Sequence, residues 1–348
     1  MVEVERGAQL ERAFEQTLGR ALPPGWSITL ASEDGARDAG VDAYLDLVAP
    51  SGERIRACVE FKARAEPAEV VRIIPWLQQC GFAILVAPAI GSRARDILGN
   101  AGISWIEPEG DCRIALGGLF VERLARERRR RSAGAPATRY VADVFAGAAL
   151  RVVRWLLIEP DRSWTLSDMA GRTGLTLGFV SRTFKTLARD AYLDRTRGAS
   201  RVRDRDALVE AWAAAPAPAD VVLERVATVG GPEALLPLIR AVVAPRPYAI
   251  TAEAGADKLA PFARFNRVEV YVGNVAVWDR AFRLTPVPRG GNVVLIMPVD
   301  SGVFDGSFDR EGVQITSRPQ LYVDLVRRGG AADEAAAIMR ERGELWPP

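Results

Sequence analysis

Along the first stretch of the chain, Leu10, Phe14 and Leu18 recur four residues apart, a spacing that predicts a helix over residues 3–20 with one apolar face. Pro23, Pro24 and Gly25 end it. The pattern then shortens. "WSITLAS", "VDAYLDLVA" and "IRACVEFKA" read as strands, and "APSGE" supplies a turn between the last two. A helix is expected around Val70 to Gln79, with Pro75 working against its first half. "FAILVAPAI" reads as a buried strand, "SRARDILGNAG" as a helix ending at glycine, and "ISWIEPEGDCRIAL" as a strand pair. The mixture predicts an α/β domain over residues 1–131.

"ERLARERRRRSAGAPATRY" breaks the pattern. It reads as a helix end running into a solvated linker, with a phosphate-contacting arm as the other reading. Two further domains are expected. The first, 141–215, is mostly helical with one hairpin, and "APAPAD" marks its exit. The second, 220–348, mixes helices with β runs such as "RVEVYVG" and "NVVLIMPV" and ends in a helical tail. No internal repeat is visible. The expected fold class is α/β, in an α+β multidomain arrangement.

The middle segment is the most informative. A helix is expected from Ala149 to about Ile158. Thr165 is placed to cap a short second helix, with Asp168 at its third position, and Gly174 stops it. Thr176 caps a third helix to about Asp190. There Val180, Phe184 and Leu187 share one face, while Ser181, Arg182, Lys185 and Arg189 share the other. "AYLDRTRGASRVRD" then reads as two strands turning near Gly198 and decorated by Arg195, Arg197, Arg201 and Arg203. Helix, short helix, turn, helix and basic hairpin describe a winged helix-turn-helix, whose third helix enters the major groove of double-stranded DNA while the wing lies against the backbone or minor groove. A winged helix used for protein contacts is the alternative.

Composition narrows the chemistry. The chain has 348 residues, a net charge of +2 and no histidine. Serine–histidine and cysteine–histidine catalysis and histidine-ligated metals are therefore excluded. The overall charge is small, but Arg151 to Asp206 holds twelve basic and seven acidic residues, so the basic excess is local. Cys58, Cys80 and Cys112 lack the spacing of a disulfide framework or a zinc site. No apolar run approaches spanning length, and the acidic, amphipathic N-terminus is unlike a signal peptide. A cytoplasmic, nucleoid-associated protein without membrane contact is expected.

The strand "CVEFKAR" raises a separate possibility. Alternation places Glu60 and Lys62 on one face and Val59 and Phe61 on the other, and Asp42, Tyr44 and Asp46 share a face of the preceding strand. An aspartate followed by Glu-x-Lys, in an order of leading helix, hairpin, E-x-K strand, helix and buried strand, resembles the PD-(D/E)xK nuclease superfamily. The resemblance implies magnesium held by Asp42 and Glu60, Lys62 positioning or polarising the attacking water, and an extra acid from Glu11 or Glu15. Asp38 and Asp46 compete with Asp42 for the aspartate position. The alternative is a nuclease-like scaffold that uses no cofactor.

Three stretches carry a second resemblance: "LGNAGISWIEPEGDCRIALGGLFVE", "WTLSDMAGRTGLTLGFVSRTFKTLARDAYLDR" and "RGGNVVLIMPVDSGVFDG" with "GVQITSRPQLYVDLVRRGGAADEAAAIM". Together they resemble the AbiEi-type antitoxins of type IV toxin–antitoxin systems. The resemblance implies autorepression of an operon and a C-terminal domain that counteracts a nucleotidyltransferase-like toxin. This chain departs from it by placing a nuclease-like domain before the winged helix. The expectation is a sequence-specific DNA-binding regulator, homodimeric, with dimerisation or a protein partner assigned to 220–348. The alternative is a magnesium-dependent endonuclease targeted by its winged helix. In the last segment, Trp278 with Phe282 and Leu321 with Leu325 are expected to face a core, while Asp300, Asp305, Asp309 and Glu311 read as solvated loop acids.

Overall fold

The computed structural model describes residues 2–31, 41–124, 143–227, 232–241, 247–261 and 265–347. The protein is of mixed α/β class, with two seven-stranded sheets and a two-stranded one. One compact unit holds Met1–Tyr140 with Arg189–Ala191, and a second holds Val141–Ala188 with Tyr192–Pro348. Among the described residues no helix is long and apolar enough to cross a membrane.

In the first unit, α1 (Val2–Ala21) precedes three antiparallel strands, β1 (Ser27–Ala31), β2 (Ala43–Val48) and β3 (Arg54–Phe61). Then α2 (Pro67–Leu77), β4 (Ala83–Val86), α3 (Ser92–Asn100) and β5 (Ser104–Ile106) follow, with β3, β4 and β5 parallel. Parallel neighbours need a crossover, which the two helices supply. β6 (Cys112–Leu116) and β7 (Leu119–Arg123) complete a sheet whose spatial order is the sequence order. Strand β2 alternates buried with half-buried positions, whereas "AILV" of β4 is buried throughout because helices cover both faces. Phe14 and Leu18 of α1 pack with Leu45, Leu47 and Val59. Val70, Leu77, Ala94 and Leu98 of α2 and α3 pack with Leu85 and Trp105.

Two expectations shift. Helix α2 starts at Pro67, which suits the first turn because it has no N–H to lose. Pro75 stands inside its last turn, where it forgoes one helical hydrogen bond, and a 3-10 turn at Gln78–Cys80 follows. Glu122 and Arg123 end strand β7 instead of belonging to a helix end: the turn at Gly117 (φ 57°) returns the chain antiparallel to β6. The arginine run that follows, the boundaries at 131 and 141, and Asp38 lie outside the described residues.

The second unit begins with α4 (Ala149–Ile158), α5 (Leu166–Thr173) and α6 (Leu177–Arg189). The hairpin β8 (Leu193–Thr196) and β9 (Ala199–Val202) and helix α7 (Arg205–Ala214) follow. Beyond lie β10 (Val221–Ala227), α8 (Pro232–Ala241), β11 (Tyr248–Thr251), α9 (Ala252–Asp257), β12 (Val268–Val272), α10 (Val275–Phe282), β13 (Leu284–Pro286) and β14 (Val293–Met297). β15 (Phe308–Arg310), β16 (Val313–Ile315), α11 (Arg318–Arg328) and α12 (Ala331–Glu341) end the unit. Its mixed sheet runs β13-β10-β14-β12-β11-β16-β15. Trp278, Phe282, Leu321 and Leu325 are buried.

The sequence separates 141–215 from 220–348, yet both pack around one core. Val152, Leu156, Trp164, Phe184 and Trp212 share it with Val270, Leu295, Leu321 and Leu325. Polar contacts reinforce the join: Tyr322 donates to Glu210 at 2.5 Å, and Arg327 donates to the Trp212 carbonyl at 2.8 Å.

Candidate functional site

Two constellations carry chemistry. The first lies at the end of the β2–β3 ladder. The register pairs Ala43 with Val59, and one further step sets Asp42 opposite Glu60. Asp42 accepts the Phe61 amide at 2.8 Å. Glu60 is 7% exposed, and its Oε1 stands 2.5 Å from Lys62 Nζ. Its Oε2 is buried without a hydrogen-bond partner among the described residues. Burial raises the Glu60 carboxyl above its ordinary range; the nearby Asp42 charge adds to the rise and Lys62 opposes it.

Asp46 leaves the competition. Arg56 grips it through two bonds of 2.7 and 2.8 Å, and this hydrogen-bonded pairing holds the Asp46 carboxyl below its ordinary range. Glu11 and Glu15 sit on α1, which packs its Phe14 against Phe61 on the face opposite Glu60.

The donor set suits a hard divalent cation: two facing carboxylates, one with an orphaned buried oxygen, beside a lysine. No group of three or more histidine, cysteine, aspartate or glutamate side chains is suited to a metal among the described residues. Two carboxylates match magnesium, which keeps several waters and takes few protein ligands.

The second constellation is cationic. Thr165 accepts the Asp168 amide at 3.1 Å and so caps α5. Gly174, at φ 71°, takes the left-handed conformation that lets the chain turn at once into α6. Thr176 caps α6 by accepting the Phe179 amide at 3.3 Å. Helix α6 buries Val180, Thr183, Phe184 and Leu187. Arg182 and Lys185 are exposed on the other side, and Ser181 is half-buried. The hairpin turns at Gly198 (φ 90°), with Arg195 and Arg197 exposed near its tip. Backbone bonds of 2.7 and 2.8 Å between Trp164 and Ser200 tie the hairpin to the start of α5.

The nine cationic-surface candidates therefore differ in what they can offer. Arg182, Lys185, Arg195 and Arg197 have no ion-pair partner among the described residues. Three others are neutralised within the chain: Arg189 by Asp190 at 3.0 Å, Arg201 by Asp161 at 3.1 Å, and Arg203 by Asp194. Alternation along a strand cannot reveal a pairing to Asp161, forty residues away.

Other polar residues do work the sequence does not announce. Arg154, counted in the local basic excess, is 3% exposed; it donates to Gln320 at 3.0 Å and lies 3.7 Å from Asp300. Asp300 accepts from Arg151 at 2.7 Å and Asp305 from the Trp155 indole at 3.1 Å, so two of the acids expected to be solvated instead join α4 to the 3-10 turn at Ser301–Phe304 between β14 and β15. Leu177, at the start of α6, is 53% exposed and so lies outside the core that Val180, Phe184 and Leu187 enter.

No protein-family model, curated protein or solved structure matches the chain.

Proposed function

We propose that the protein is a sequence-specific regulator of double-stranded DNA in which α4 to β9 act as a winged helix-turn-helix. One observation carries this reading. Arg182 and Lys185 project from the open side of a helix whose other side is buried, and Arg195 and Arg197 stand at the tip of the following hairpin, all four without a neutralising carboxylate among the described residues. In this reading α6 lies in the major groove, Arg182 and Lys185 meet base edges, and the hairpin arginines meet phosphates. Regulation within the cytoplasm, a homodimer and a protein partner for the 220–348 sheet belong to the same reading. The test is recovery and sequencing of bound genomic fragments, followed by binding of a variant carrying Arg182→Ala and Lys185→Ala. Operator binding equal to that of the parent would defeat the assignment of α6.

The facing carboxylates of Asp42 and Glu60, with Lys62 beside them, favour a second reading: a magnesium-dependent endonuclease. The order helix, three antiparallel strands, helix and parallel strand supports it, being that of the PD-(D/E)xK frame. Asp42 and Glu60 would hold the metal, and Lys62 would orient the attacking water. Bound magnesium would supply Lewis-acid stabilisation of charge on the scissile phosphate. Our preference remains for binding over cleavage, because a regulator that cuts its operator destroys its target. Supercoiled plasmid and operator duplex, each incubated with magnesium, manganese or chelator, decide between the readings. Metal-dependent nicking that disappears in both Glu60→Ala and Lys62→Ala would establish the nuclease.

A further inference from the structure

The face of β3 that carries Glu60 also carries Cys58, two residues earlier. Cys58 is 6% exposed and packs with Val41, and Tyr44, Trp76 and Cys80 close around the pair. Sequence spacing gives no hint that Cys58 and Cys80 meet. The backbone brings them together through a tight turn after α2. The Phe82 amide donates to the Cys80 carbonyl at 3.0 Å, while the Phe82 carbonyl accepts the Cys58 amide at 2.9 Å. Ala83 stands beside Cys58 in the parallel register. The two cysteines pack in one cluster, and both thiols are free. Cys112 belongs to the core cluster built around Phe14 and Leu18.

We propose that Cys58 and Cys80 are a thiol-oxidation site, closed reversibly into a disulfide by a small-molecule disulfide of the glutathione type. Cys80 is half-buried and Cys58 is buried, so Cys80 is the sulfur an oxidant reaches first. The Cys80 thiolate attacks one sulfur of the oxidant, forming a mixed disulfide and expelling one thiolate. Cys58 then releases its proton to solvent and attacks the Cys80 sulfur, and the second thiolate leaves. Two protein thiols lose two electrons, and one oxidant disulfide becomes two thiols.

The difference in burial between the two cysteines sets the order of these steps. Closure would fasten β3 to the 3-10 turn beside α2, two residues from Glu60. Neighbouring cysteines can also be plain packing, since a buried thiol behaves as a small apolar group. The two roles differ in whether oxidation closes the pair.

The experiment uses the full chain and oxidised glutathione at mildly alkaline pH. Remaining thiols are alkylated in denaturant and counted, and the cross-linked peptides are mapped. The expected result is a fall from three free thiols to one, with the Cys58 and Cys80 peptides joined and dithiothreitol restoring all three. Cys112→Ser should still close the pair, and Cys58→Ser should stop at a single glutathione adduct on Cys80. Three thiols surviving, a Cys80 adduct that never closes in the unsubstituted chain, or a cross-link involving Cys112 would each overturn the proposal.

Discussion

Replacing Arg195 and Arg197 together with alanine removes two exposed guanidiniums that no described carboxylate neutralises. In the winged-helix reading both displace counterions from the DNA backbone. Each phosphate contact adds about 0.9 to the slope of log affinity against log salt, so the double variant should flatten that slope by about 1.8. At about 0.15 M salt this amounts to ~1.5 logarithmic units, roughly thirty-fold in affinity or about 2 kcal/mol. Arg201 and Arg203 start from a different state. Arg201 is engaged with Asp161 and Arg203 with Asp194, and a phosphate must compete with those carboxylates. An exposed ion pair is worth ~1 kcal/mol or less, enough to take back much of one phosphate contact. Replacing this second pair should therefore flatten the slope by less than half as much. Fluorescence anisotropy with a recovered binding site, over about 50–200 mM salt, measures both slopes, with thermal melts to confirm folding. Two results would refute the reasoning: a parental slope in the Arg195/Arg197 variant, or an equal loss in the Arg201/Arg203 variant.

Three further outcomes are expected. Arg182→Ala should cost about 1–3 kcal/mol of operator affinity and relax sequence choice, measured by selection from a randomised duplex pool. Phe184→Ala, at a site 1% exposed, should destabilise the second unit by about 3–5 kcal/mol in urea titrations, far more than Lys185→Ala on the same helix. Glu60 has a raised folded-state pKa, so the folded chain binds its proton more readily than the unfolded chain does, and stability falls as pH rises from the ordinary glutamate range through the raised value. Glu60→Gln should remove that fall in denaturation curves taken across mildly acidic pH. A pH dependence unchanged by the substitution would show that the carboxyl is not perturbed.

Local signals made the helical segment readable. Thr165, Gly174, Thr176 and Gly198 are each a cap or a turn whose meaning needs only a few neighbouring residues, and α4 to β9 begin and end close to where those residues place them. The apolar repeat of Val180, Phe184 and Leu187 found the buried face of α6 for the same reason. Alternation also predicted the shared face of Glu60 and Lys62. It could not choose among Asp38, Asp42 and Asp46, because parity alone makes Asp42 and Asp46 equivalent. What separates Asp42 from Asp46 is a cross-strand fact: Arg56 stands opposite Asp46, and Glu60 opposite Asp42. Contacts between distant parts of the chain were silent altogether. Arg154 looks like any surface arginine in sequence, and only the packing of α4 near Gln320 and Asp300 buries it.

The shared core of the second unit makes its folding a collective property. Severing the chain near Ala215 would strip Leu156, Trp164 and Trp212 of neighbours supplied by α11 and the sheet, leaving a helical fragment with apolar surface it cannot hide. Helices and sheet should melt together, in one transition. Mass action then links them: any molecule that binds only the folded sheet also raises the population of intact α6, without touching it. Evolution of a binding surface on one side of this core is therefore constrained by, and thermodynamically audible to, the other.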